Sequence, residues 1–236
     1  MQPELQPVRS NENTSRTFGA TISVESQKVL RNTYLLLALT MVPTLAGALL
    51  GMATASVVMA SPIISTFVML AVVVGLQFAI VANRNSMLGV AFLLLMTGVL
   101  GWWLGPILNY VLAMKNGAQL VGYAAVGTGV VFLVMGAIAT TTKRDFSFMG
   151  KFLFVGMIAL LVAMIANMFL QIPALALAIS TLVIVVFSLF LLHDLSRIVT
   201  GGETNYIVAT TGVYLSLFNI FANLLQLLGI FGGDRD

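Results

Sequence analysis

The chain has no cysteine, a single histidine and few charges: eight carboxylates and eleven Lys or Arg in 236 residues, 8% in all. Lack of cysteine excludes thiolate metal sites and a cysteine nucleophile, and leaves the redox compartment unspecified. One histidine with eight carboxylates leaves little material for metal-dependent chemistry, and no cofactor is implied. So few charges cannot coat a soluble domain when 59% of the residues are hydrophobic. The solvent for most of this surface is therefore lipid. The net charge of +3 calls for no nucleic acid, because membrane proteins collect Lys and Arg on one side.

What the chain does have is seven long apolar runs. Backbone amides in hydrocarbon must be paired internally, so spans are helices or closed barrels. Barrel strands alternate polar and apolar residues, whereas these runs are apolar all round and long enough to cross as helices. The reading is an all-α polytopic membrane protein with spans at Thr33–Gly51, Pro62–Ala82, Met87–Leu108, Gln119–Thr140, Gly150–Leu170, Ala174–Val199 and Tyr206–Phe231. Residues 1–32 read as a flexible tail, rich in polar residues and carrying Pro3 and Pro7, that turns helical near Ser26. No apolar core lies near Met1, so no signal cleavage is expected. Residues 33–232 form the membrane domain and 233–236 a short carboxyl-terminal tail.

Lys and Arg assign the sides. Arg9, Arg16, Lys28, Arg31, Arg84, Lys143, Arg144, Lys151 and Arg197 fall on one side, against Lys115 and Arg235 on the other. This asymmetry places the amino terminus in the cytoplasm and the carboxyl terminus outside. Short links at Asn83–Ser86 and Gln171–Pro173 make their flanking spans antiparallel neighbours. Gly47–Gly51 and Gly101–Gly105 have the Gly-x-x-x-Gly spacing that permits close helix approach, although 21 glycines make chance matches common.

Polar groups gather in the last two spans. Gly212, Ser216, Asn219, Asn223 and Gln226 recur every three or four residues, an arc of about 80° on one helix face. Polar side chains facing lipid are costly, so this face looks inward and puts the seventh helix at the centre. It either bonds neighbouring helices or lines a path for water or ions. Asp194 lies about a turn and a half inside the end of span six, either interfacial or turned into a cavity, with Arg197 three residues on as a candidate partner. His193 points roughly 100° away from Asp194 and reads as an interfacial side chain rather than a metal ligand. No Ser is paired with a placed base and no Gly-rich phosphate loop is present, so no catalytic constellation emerges.

The segment Leu192–Gly229, LHDLSRIVTGGETNYIVATTGVYLSLFNIFANLLQLLG, resembles the carboxyl-terminal signature of the Bax inhibitor-1 family. KVLRNTY (28–34), GPILN (105–109), TTKRDFSFMGKFLF (141–154) and ANMFLQIPALALAIS (166–180) are similar to its proteobacterial YccA-like branch, so the likeness runs from about residue 25 to 230. The resemblance implies a seven-helix bundle with the last helix enclosed. In some members a pair of aspartates in the last two helices is associated with a pH-sensitive calcium or cation leak. Here the first position is Asp194, but the second is Ser216, which does not ionise and places that activity in doubt. With Arg197, Asn219 and Asn223 these are the candidate ion- or proton-sensing residues. The YccA-like branch implies instead a non-enzymatic inner-membrane protein that is a slow substrate and modulator of the FtsH protease, with the HflK–HflC complex as associated partner. The protease would engage the cytoplasmic tail, which contains Met1, Arg9 and Arg16.

Overall fold

The computed structural model describes residues 23–142 and 144–232, and all regular structure among them is helical. The helices are α1 (Val24–Ala53), α2 (Ala55–Ala60), α3 (Pro62–Ala82), α4 (Met87–Trp103), α5 (Gly105–Leu112), α6 (Gly117–Thr142), α7 (Met149–Leu170), α8 (Pro173–Val199) and α9 (Tyr206–Phe231). Among the described residues, seven stretches are long and apolar enough to cross a membrane: α1, α3, α4 with α5, α6, α7, α8 and α9. The chain is an all-α polytopic membrane protein. Its spans sit close to those read from hydropathy.

Local chemistry explains the boundaries. Pro62 and Pro173 open their helices, where a missing N–H costs nothing. α7 stops at Gln171, whose left-handed φ of 51° turns the chain while Asn167 Oδ1 accepts the Ile172 N–H at 3.1 Å. The third span breaks at Leu104, just before Pro106, splitting it into α4 and α5. α1 starts at Val24, nine residues before the apolar run does, because Ser23 caps it by accepting the Ser26 N–H at 3.1 Å. Hydropathy marks where a span enters lipid; the cap marks where the helix begins. Glu25, Lys28 and Arg31 occupy the turns between the two.

The two Gly-x-x-x-Gly pairs form a single seam. A Cβ at Gly47 or Gly51 would overlap the α4 backbone at Gly98 and Trp102, and one at Gly101 or Gly105 would overlap α1 at Thr44 and Gly51. Without a hydrophobic drive between helices in lipid, such close approach is a main source of attraction. Trp102 Nε1 donates to Thr54 Oγ1 at 2.8 Å and Asn109 Nδ2 to the Met52 carbonyl at 2.8 Å, fixing one end of the seam.

α9 is the axis of the bundle. No residue from Tyr206 to Gly229 is exposed, and α1, α3, α4, α5, α6 and α8 all touch it. Tyr214, 2% exposed, places its hydroxyl 2.8 Å from Thr44 Oγ1 and 3.4 Å from the Thr97 carbonyl, joining α9 to α1 and α4. α7 is the opposite case: it buries only Leu153 and rests on α8. Outward-facing Phe78, Leu133, Phe152 and Phe169 are exposed, as a lipid-facing surface requires.

Candidate functional site

The basic ends of the helices meet at one end of the bundle. The α8–α9 turn starts with Gly201 at φ +80°, and the Glu203 N–H then returns to the Arg197 carbonyl at 3.0 Å. That fold brings Glu203 Oε2 to 3.3 Å from Arg197 Nη2, which also donates to the Gly202 carbonyl. The other Glu203 oxygen accepts the Asn205 N–H at 2.9 Å. Asn205 caps α9 through Ile207 N and Val208 N, and its Nδ2 donates to the Arg84 carbonyl and Asn85 Oδ1. The α3–α4 and α8–α9 turns are thus bound together by one asparagine.

Beneath this knot lies a cavity of about 170 Å³, lined by Gln77 of α3, Asp194 and Arg197 of α8, Glu203, and Thr211 and Gly212 of α9 among others. It has room for a few water molecules. Asp194 is largely buried. One carboxylate oxygen lies 3.1 Å from His193 Nδ1, and the other faces Gly212, where a Cβ would stand only 2.6 Å from it. On the opposite flank of α8, buried Ser196 donates to the Arg144 carbonyl at 2.7 Å and accepts the Phe146 N–H at 3.3 Å. The α6–α7 turn is pinned there. Within it, Asp145 is held below the usual carboxylate range, first by the Ser147 side chain and then by the Ser147 N–H at 2.8 Å.

Of the residues singled out from sequence, Asp194 and Arg197 line one cavity, but they are not each other's partner. Arg197 takes Glu203, because the glycine turn folds that carboxylate back onto the helix end. Asp194 takes His193, a contact that counting 100° per residue misses: both flanks of α8 are covered here, so adjacent side chains turn inward together. His193 is buried among the helices, 8% exposed. Ser216 is buried one turn beyond Gly212, and Ser216, Asn219 and Asn223 do not line the cavity. The two amides donate to their own helix, Asn219 to the Leu215 carbonyl at 2.8 Å and Asn223 to the Asn219 carbonyl at 2.9 Å. Gln226 is half-buried on the same face. Met1, Arg9 and Arg16 lie outside the described residues. Glu203 and Ser196 carry no signal of a site in the sequence, whereas Gly212 belongs to the polar stripe of the last span; the Gly201–Gly202 pair marks only the end of span six. No group of three potential metal-ligating side chains occurs among the described residues.

A family model described as inhibitor of apoptosis-promoting Bax1 matches residues 26–233, nearly the whole chain. The chain belongs to the Bax inhibitor-1 family. Within that family it is 41% identical over 220 residues to the modulator of FtsH protease YccA of Escherichia coli K12, covering 93% of this chain and 98% of that one. It is 42% identical over 220 residues to an uncharacterized membrane protein of Vibrio cholerae, covering 93% of this chain and 97% of the relative. A Pseudomonas aeruginosa protein is 42% identical over 211 residues, 89% of this chain and 92% of the relative. The family match over residues 26–233 takes in the enclosed last helix and the residues that line the Asp194 cavity.

Proposed function

We propose that this protein is an inner-membrane modulator and slow substrate of an FtsH-type protease, engaged through its amino-terminal residues from the cytoplasm. The carrying observation is the 41% identity to the Escherichia coli modulator over 93% of the chain. The fold supports it physically. A threading protease needs a free polar handle and acts slowly on a body that resists extraction. Here α9, the last span, is wrapped by the others, so pulling from the amino terminus must dismantle the α1–α4 glycine seam first. The gathering of Lys28, Arg31, Arg84, Arg144, Lys151 and Arg197 toward one end favours that end as cytoplasmic; the HflK–HflC complex enters this reading as a further partner through the family resemblance alone.

The test is degradation of a second membrane substrate by purified protease in proteoliposomes. Added full-length protein is expected to slow it. Removal of Met1–Arg16 should abolish the slowing, and Asp194→Asn should preserve it. Slowing that survives the truncation overturns engagement through the tail; no slowing by full-length protein overturns the modulator reading.

A second reading, a cation leak for calcium or another ion, has the Asp194 cavity in its favour. Beyond the cavity α9 is closed by Val213, Tyr214, Ile220 and Leu225, each at most 2% exposed, so conduction would require those packed residues to part. Flux into liposomes that falls in Asp194→Asn would establish the leak, and flux that is indifferent to the substitution would remove Asp194 from it.

A further inference from the structure

The first turns of α1 stand clear of the lipid and wall a second cavity. Residues 23–32 precede the apolar run of the first span, and with the α8–α9 turn they line a space of about 490 Å³. That is the size of pockets that hold a ligand, and well above the water-sized cavity at Asp194. Its walls are polar and fixed. Ser23 Oγ donates to Ser26 Oγ at 3.0 Å, and the Ser26 hydroxyl stands 3.8 Å from where a Cβ at Gly201 would lie.

The Asn32 amide and the Tyr206 hydroxyl line this space and have no hydrogen-bond partner among the described residues. Glu203 is already held by Arg197. The charges left to the cavity are those of exposed Glu25 and Lys28, neither in an ion pair among the described residues. An amide and a hydroxyl both give and accept hydrogen bonds. Flanked by one carboxylate and one ammonium, they suit a stretch of polypeptide that carries both signs of charge.

The chain itself supplies such a stretch. Residues 1–22 join the cavity at its own rim, Ser23, and Gly19 offers a place to reverse direction. Read away from Ser23, that segment presents Arg16 and then Glu12, while α1 presents Glu25 and then Lys28. Folded back along α1, opposite charges meet in the same order. Four extended residues cover about 13 Å, the length of α1 between Ser23 and Asn32 at about 1.5 Å per residue.

Tethering decides the occupant. A short linker holds its segment at about 1 mM, which fills about 90% of sites whose Kd is about 100 μM. The same segment from another molecule at about 10 μM fills about 10% of them. We propose that this cavity docks the chain's own amino-terminal segment, with Arg16 on Glu25 and Glu12 on Lys28. Docked, the segment is withheld from a protease that would pull on it, a consequence that rests on the function proposed above.

Because the chain has no cysteine, spin labels can be placed at Ser15→Cys and Met87→Cys without background. Met87 is 80% exposed beside the α3–α4 turn, which Asn205 ties to this end of the bundle. In the full-length protein in lipid nanodiscs, electron–electron distances should form one narrow population. Glu25→Arg or Arg16→Glu should broaden it, and the two together should restore it. A broad distribution in the unaltered protein, a narrow one that survives either reversal, or no recovery in the pair would overturn docking. Narrow distances that vanish on dilution with unlabelled protein would assign the cavity to a second copy and overturn it too. Purified FtsH-type protease should degrade Glu25→Arg up to about tenfold faster than the unaltered protein, the ratio of a free to a mostly docked segment. Equal rates alongside a narrow population would overturn the withholding alone. No degradation of either protein would overturn the slow-substrate reading, while the distances decide docking independently.

Discussion

Gly101→Ala places the strongest demand on the glycine seam. Its new Cβ would fall on the carbonyl, carbonyl carbon and Cα of Thr44, all backbone atoms of α1 that no rotamer change can move aside. Relief requires the two helices to separate along their contact, which also loosens Gly47 against Gly98 and Gly51 against Trp102. Overpacking of this kind costs about 1–3 kcal/mol, and with backbone on both sides the upper end applies. Alanine returns about 1 kcal/mol of helix propensity over glycine. The net expectation is a loss of about 2 kcal/mol, drawn from the difference of those two effects. Gly122 of α6 supplies the control: nothing lies within 4 Å of a Cβ there, so Gly122→Ala should keep the propensity gain and be neutral to stabilising. Thermal unfolding of both variants in the same detergent, followed by circular dichroism, reads the difference. Equal midpoints for Gly101→Ala and Gly122→Ala would refute the seam.

Two further outcomes follow from the same contacts. Tyr214→Phe removes the hydroxyl that joins Thr44 and Thr97 and should lower stability by about 1 kcal/mol without changing the fold, measured in the same unfolding assay. Asp145 should titrate below the ordinary carboxylate range by nuclear magnetic resonance of the selectively labelled protein, and move up in Ser147→Ala. Its folded value is the depressed one, so whatever it adds to stability is present above the unfolded value near pH 4 and is lost as pH falls through the folded value.

The seven spans and the enclosed last helix were legible because both rest on short-range pattern. A run of about 20 apolar residues can only be a span, and a polar stripe at helical spacing on an otherwise apolar helix can only face inward. The prolines at 62 and 173 likewise mark starts whatever surrounds them. The partners of the ionisable groups were not legible in the same way. Spacing alone offered Asp194 to Arg197, yet the turn at Gly201 delivers Glu203 to the guanidinium and leaves Asp194 to His193 and Gly212.

Seven crossings, their approximate limits, the lipid-facing character of the surface and the inward turn of the last helix came from the sequence by itself, since each depends on residues within one helix. That the two glycine pairs face each other, that Asn205 ties two turns together, and that Ser196 of α8 pins the α6–α7 turn were decided only by the tertiary structure. The reason is distance along the chain. Gly47 and Gly98 are fifty-one residues apart, and Arg84 and Asn205 more than a hundred, so nothing in either local pattern names the other. In lipid, where every helix is apolar, shape and a few hydrogen bonds choose the neighbours, and these exist only once the helices have met.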